Sequence, residues 1–303
     1  MKRIVAIAVL IMLVNFTGQV FAEDITIALI PKGLDNPVFE PARIAAEDEA
    51  KKLGVKLLWV GAAETDTEAE ISVIEEIIKR GVDAIGISVN DATALNWVIA
   101  KAIDSGILVS TWDSDAQGSK RLFYIGTDNY KGGFQCGMEM KKLLGGKKKI
   151  AALSGDPGAF NLNERIRGFT DAVKDADIKI VTVMYCYDNI ERAASSIESY
   201  TKTNADEFDG WFFVGGWPLF AQLDKLPNFK EFKGKVVCFD YFPPGKPWVE
   251  QGIIDVCVAQ DFAKMGRLSV RYLAEMLRKK DATYPEINDS GLFRVDKSNI
   301  QEY

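Results

Sequence analysis

The feature that most constrains this chain is a regular alternation of short apolar runs with amphipathic helical stretches, sustained from residue 25 to residue 260. Candidate strands fall at 25–31, 55–61, 84–89, 108–113 and 123–128. A second series follows at 149–154, 178–187, 211–215, 236–240 and 254–260. The runs are almost continuously apolar rather than alternating, the pattern of parallel sheets covered on both faces. Helical spacing lies between them. Over 67–80, Ile71, Ile74, Ile77 and Ile78 make an apolar stripe, and Glu68, Glu70, Glu75, Glu76, Lys79 and Arg80 supply the polar face. Gly54, Gly81 and Gly106 each stand between a helix and the next strand, where helices are capped. This βα rhythm predicts an α/β protein of two doubly wound, Rossmann-like lobes. The first half holds about four βα units, and a comparable set begins after Asp128. No proline-rich linker divides the halves, so the lobes are expected to be joined by strands crossing between them.

The N-terminus reads as a cleavable export signal. Lys2 and Arg3 precede an apolar run at 4–14, and Val20-Phe21-Ala22 offers a cleavage site after Ala22. The run is short for a bilayer span, and no Cys follows the site to carry a lipid. A soluble, periplasmic product is expected. Removing 1–22 takes Lys+Arg from 37 to 35 against 43 Asp+Glu, a net charge of −8. Such an acidic chain is a poor partner for nucleic acid, whose phosphates must be neutralised. Cys136, Cys186, Cys238 and Cys257 sit in apolar strand-like or helical settings without framework spacing, so buried free thiols are expected. Histidine is absent, which removes the usual general base and the commonest metal ligand. No cofactor or metal is expected.

Polar and aromatic residues gather where strands end, the edge at which open α/β sheets bind ligands. The first strand leads into Lys32, Asn36 and Phe39, and the fourth into Asp113, Ser114 and Asp115. The second half offers Asn161, Asn163 and Arg165, then Tyr187, Asp188 and Asn189, then Trp217, Asp240 and Gln260. Asp113 and Asp240 can each accept two hydroxyls, Arg165 donates a planar fork, and Asn36 and Gln260 both donate and accept. Phe39, Tyr187 and Trp217 suit the apolar faces of a sugar ring. Plainer roles compete: helix capping for either aspartate, lobe packing for Trp217 and Tyr187, a surface charge for Arg165, and solvent for Lys32. Catalytic motifs fail. Gly155-Asp156-Pro157-Gly158 lacks the Gly-Lys-Ser/Thr ending of a phosphate loop, and no Gly-x-Ser-x-Gly elbow is present. Asp113 and Asp115 lie too close in sequence to flank a glycosidic bond. An enzyme is not expected.

Taken in order, these segments resemble the periplasmic sugar-binding proteins of ABC transporters, of the ribose/galactose, type I periplasmic-binding class. The resemblance covers residues 24–303. It is carried by Ile27-Ala28-Leu29-Ile30 with Asp35-Asn36-Pro37-Val38-Phe39, by Ile125-Gly126-Thr127-Asp128-Asn129 with Gly132-Gly133, and by Arg165-Ile166-Arg167-Gly168-Phe169. Val237-Cys238-Phe239-Asp240 and Ala259-Gln260 complete it. The resemblance implies a sugar held by Asn36, Phe39, Asp113, Arg165, Asp240 and Gln260, with Tyr187 where the family often has a ring. It also implies a hinge of three crossing strands near Asp128–Asn129, Gln260–Asp261 and 285–287. The lobes would then be 23–128 plus 261–285 and 129–260 plus 286–303. Three positions depart from the ribose pattern: Ser114 replaces an arginine, Lys32 a small polar residue, and Gly216-Trp217 an asparagine. Around Lys32 and Trp112-Asp113-Ser114 the chain is similar to autoinducer and rhamnose receptors. The candidate ligand set is therefore Lys32, Asn36, Phe39, Asp113, Ser114, Asn163, Arg165, Tyr187, Trp217, Asp240 and Gln260. A monosaccharide or polyol is the first expectation for the ligand and a furanosyl quorum signal the second. A monomer is expected, with ABC permease subunits as partners for transport, or a chemoreceptor or sensor kinase for signalling.

Overall fold

Every candidate strand between residues 25 and 260 becomes a strand, and the strands sort into two six-stranded sheets. A computed structural model describes residues 25–279 and 281–303, so the expected signal segment lies outside the described residues. The first sheet contains β1 (Thr26–Ile30), β2 (Lys56–Trp59), β3 (Ala84–Ile87), β4 (Leu108–Trp112) and β5 (Tyr124–Gly126). The second contains β6 (Lys148–Ser154), β7 (Ile178–Tyr185), β8 (Gly210–Phe213), β9 (Lys235–Phe239) and β10 (Val256–Gln260). The orders β2-β1-β3-β4-β5 and β7-β6-β8-β9-β10 are the same doubly wound, parallel arrangement built twice.

Two short elements complete the sheets. β11 (Ile287–Asp289) adds in parallel to β5, with Ile287 opposite Tyr124. β12 (Leu292–Asp296) closes the second sheet antiparallel to β10. The third crossing therefore lies at Ser290-Gly291, beyond the expected 285–287, and residues 286–289 run with the first lobe. The shift has a simple cause. An edge strand of three residues with one apolar side chain, itself exposed, carries no periodic signal.

Helices cover both faces of each sheet: α1 (Glu40–Leu53), α2 (Thr67–Arg80) and α3 (Ala92–Asp104) in the first lobe, and α4 (Asn129–Leu144), α5 (Phe160–Val173) and α6 (Ile190–Asn204) in the second. Two short helices, α7 (Pro227–Lys230) and α8 (Lys246–Glu250), follow before α9 (Phe262–Arg278) returns to pack on α1. Gly54 and Gly81 cap α1 and α2 in the left-handed conformation, as their spacing predicts. The crossings feed straight into helices, since Asp128 and Asp261 cap α4 and α9 through their side chains. The three crossings also touch one another. Thr127 Oγ1 donates to Gln260 Oε1 at 2.7 Å and lies 3.2 Å from Ser290 Oγ, and the Ser290 N–H donates to the Gly126 carbonyl at 2.7 Å.

All four cysteines are free and buried. Cys238 and Cys257 sit side by side in register on β9 and β10, and burial pushes the Cys238 thiol well above its ordinary range.

Candidate functional site

Carboxyl ends of strands from both sheets converge on one buried cavity. From the first lobe, the loop after β1 brings Lys32 and Asn36, followed by the 3₁₀ turn Pro37–Phe39. Asn36 caps that turn, its Oδ1 accepting the Val38 N–H at 3.3 Å, which orients its amide nitrogen for another partner. Phe39 is wedged edge-on between Trp112 and Phe262, ring centroids 5.5 and 6.0 Å away. Asp113 follows β4 with φ 58° and accepts the Ser88 hydroxyl at 2.7 Å. The Lys32 backbone is gripped from behind: its carbonyl accepts Asn90 Nδ2 at 3.3 Å, and the Asn90 N–H donates to Glu70 Oε2 at 3.0 Å.

From the second lobe, α5 presents Asn161 and Arg165 on one face. The guanidinium lies over the Phe239 ring, its central carbon 3.7 Å from the ring centroid. Arg165 Nε donates to Asn129 Oδ1 at 2.8 Å and Nη1 to the Val214 carbonyl at 3.0 Å, leaving the rest of the fork for a ligand. Asp240 follows β9 with φ 77°, accepts Gln260 Nε2 at 2.9 Å, and lies 3.9 Å from Arg165 Nη1. Neither aspartate caps a helix through its side chain, so the plainer reading is set aside. Left-handed backbone costs a non-glycine residue roughly 1–3 kcal/mol. Its occurrence at Asp113 and Asp240, both at the mouth of the sheets, marks them as sites where position matters more than local comfort.

The cavity is small, about 30 Å³, because the lobes touch across it. Lys32 Nζ donates to Asn161 Oδ1 at 3.4 Å, and Ser114 Oγ to the same atom at 3.5 Å. Burial dominates its electrostatics. Asp240 is pushed up to about 6 by loss of solvent, against the opposing pull of Arg165. A wider groove of about 630 Å³ lies on the flank between α1, Phe220 and Pro243-Pro244. Its walls are mainly apolar and it lacks the convergent hydrogen-bonding groups of the cavity.

Lys32, Asn36, Phe39, Asp113, Arg165, Trp217, Asp240 and Gln260 line the cavity together. Ser114 is buried beside it and touches Asn161, outside the lining itself. Two expected residues are elsewhere. Asn163 is exposed and donates to the Pro157 carbonyl at 2.9 Å; it lies two residues from both Asn161 and Arg165, on another face of α5. Asn161 is the one that lines the cavity, and its i, i+4 relation to Arg165 was the available signal. Tyr187 is 50% exposed, with the Arg192 guanidinium over its ring. Successive left-handed residues, Tyr187 (φ 52°) and Asp188 (φ 58°), turn the ring outward and bring Asp188 into the lining instead. Val38, Leu162 and Phe262 supply apolar wall that polar-residue reasoning does not find. Asp115 is committed elsewhere, in a buried pair with Arg121.

Known proteins share this fold. The profile of the periplasmic binding protein domain matches residues 27–281. The ribose import binding protein of Bacillus subtilis is 34% identical over 160 residues, 53% of this chain and 52% of that protein. The match thus spans about half of that relative's length, as it does for the D-ribose/D-allose-binding protein of Pseudomonas aeruginosa. The ribose import binding protein of Escherichia coli is matched over 89% of this chain and 90% of its own length, at 26% identity. Among solved structures, an ABC transporter solute-binding protein of Burkholderia graminis in complex with D-arabinose superimposes with a TM-score of 0.86. It is 32% identical and covers 93% of this chain and 98% of its own. One from Actinobacillus succinogenes with bound D-allose gives 0.81 at 27% identity, covering 92% and 100%. Duplicated doubly wound lobes, three linked crossings and a profile match over most of the chain make this protein a member of the periplasmic binding protein family, with the type I arrangement of its lobes.

Proposed function

We propose that this chain captures a neutral monosaccharide or related polyol between its lobes, outside the cytoplasm, and delivers it to the membrane permease of an ABC transporter. One observation carries the reading: hydrogen-bonding groups from both lobes converge on a single buried cavity walled by Phe39, Phe262 and Trp217. Carboxylates accept ring hydroxyls, Arg165 and the two amides donate, and the aromatic rings cover C–H faces. The relatives named above, which bind pentoses and hexoses, support the ligand class. Asn36, Phe39, Asp113, Arg165, Trp217, Asp240 and Gln260 are the residues assigned to the sugar. In the full-length precursor, residues 1–22 would direct export and be removed after Ala22.

Thermal-shift screening across pentoses, hexoses, deoxysugars and polyols tests this. At least one compound should raise the melting temperature, and Asp113→Ala and Asp240→Ala should each abolish that rise while barely moving the unliganded melting point. A flat response to every compound, or turnover of a glycoside, would overturn the reading. Uptake of the identified sugar should then fall when the chain is deleted.

A further inference from the structure

Three hydrogen-bonding groups in the cavity, the Lys32 ammonium, the Asp188 carboxyl and the Trp217 indole N–H, have no role in the reading above. Lys32 is 3% exposed, and the only side-chain bond its ammonium makes among the described residues is the long one to Asn161. Asp188, from the opposite lobe, is 8% exposed, and its Oδ1 has no hydrogen-bond partner among the described residues. Trp217 Nε1 is likewise buried and unpartnered among the described residues. All three line the cavity, together with Asp113, and Asp188 and Trp217 both flank Gly155. A buried carboxylate oxygen and an under-bonded ammonium are costly unless something completes them.

The local backbone is shaped to put them there. Asp188 is the second of two consecutive left-handed residues, a conformation that strains a non-glycine backbone. The seat is kept open by Gly155, where a Cβ would stand 1.9 Å from Asp188 Oδ1 and 2.8 Å from the Trp217 ring. Behind Lys32, the Glu70–Asn90 bridge fixes its carbonyl. Both partners are thus held by strained or buried supports on separate lobes, and both line the one cavity between the lobes.

We propose that Lys32 and Asp188 read one hydroxyl of the sugar from opposite sides, ammonium donating to its oxygen and carboxylate accepting its proton, and so set which sugars this receptor takes. The inference rests on the sugar-binding reading. It adds one hydroxyl requirement to the contacts assigned to Arg165, Asp240 and Gln260. A sugar lacking that hydroxyl leaves both buried charges incomplete, and sites built to bond a hydroxyl reject such analogues strongly. The lining holds three carboxylates, Asp113, Asp188 and Asp240, against two cations, Lys32 and Arg165. Uronic acids and sugar phosphates are therefore excluded on charge.

The test uses the mature protein and isothermal titration with ribose, arabinose, allose, galactose and tagatose, followed by each monodeoxy analogue of the tightest binder. Wild type should reject one analogue by more than about 100-fold. Asp188→Asn, which tolerates left-handed backbone, and Lys32→Met should each cut that discrimination at least tenfold at the same position and leave the other positions unchanged. Combining them should add little, since both act on one hydroxyl. Glucuronate and ribose 5-phosphate should give no heat. Unchanged discrimination in both variants, equal losses at every position, or binding of an anionic sugar would overturn the inference. If wild type binds no sugar at all, the underlying functional reading fails instead.

Discussion

At the residue scale, Asp240 is the most consequential side chain. Its carboxyl, raised to about 6 by burial, must be ionised to accept two hydroxyls. As pH falls through about 6, protonation competes with the ligand. Affinity measured by titration calorimetry should hold between pH 7 and 8 and drop severalfold by pH 5. Asp240→Asn should bind weakly, with that part of the pH dependence gone. The polar groups that do this work were largely legible from their positions after apolar runs, because strand ends in doubly wound sheets face the ligand edge. Asp188 was not. A pair of consecutive left-handed residues reverses which side chain faces inward, and Tyr187-Asp188 carries no glycine to announce it. Asn161 was legible in principle from its one-turn spacing to Arg165.

At the element scale, two features turn local sequence into site geometry. α4 and α5 approach so closely that a Cβ on Gly133 would stand 2.0 Å from the Arg165 carbonyl, and one on Gly168 would stand 2.0 Å from that of Tyr130. That backbone-to-backbone approach places Arg165 against Phe239. Gly133→Val should cost roughly 3 kcal/mol or more in urea unfolding, because a rigid helix backbone cannot yield, and should weaken ligand binding as well. α2 supplies the second feature. Glu70 reads as part of its polar face, yet it is fully buried, where it supports Asn90 and through it Lys32. Tertiary packing against the loop after β3 overrides the helical wheel here.

Burial raises the Glu70 carboxyl to about 8. A folded-state value above the ordinary one means the folded protein holds a proton that the unfolded chain releases. Its stabilising contribution is therefore full below about 4.5 and is lost as pH rises through about 8. Glu70→Gln, which fixes the neutral form, should melt above wild type at pH 8 to 9, and the difference should shrink toward pH 5. A difference independent of pH would mean that Glu70 is ionised throughout.

At the scale of the whole molecule, the same lobe built twice puts two ligand edges face to face. The linked crossings at Thr127, Gln260 and Ser290 join them at one side. With the lobes touching through Lys32, Ser114 and Asn161, a sugar can enter only if they part, which these crossings permit as a hinge. The doubling and the first two crossings followed from the βα rhythm and from the family resemblance. The third crossing slipped because β11 is too short and too polar to register as a strand.

The most direct test of sugar capture between the lobes is a crystal structure of the mature protein with the sugar that stabilises it. Density for that sugar should lie between Phe39 and Trp217, within hydrogen-bonding distance of Asp113, Arg165 and Asp240 together. Density confined to the flank groove, or to one lobe without contact to the other, would contradict it.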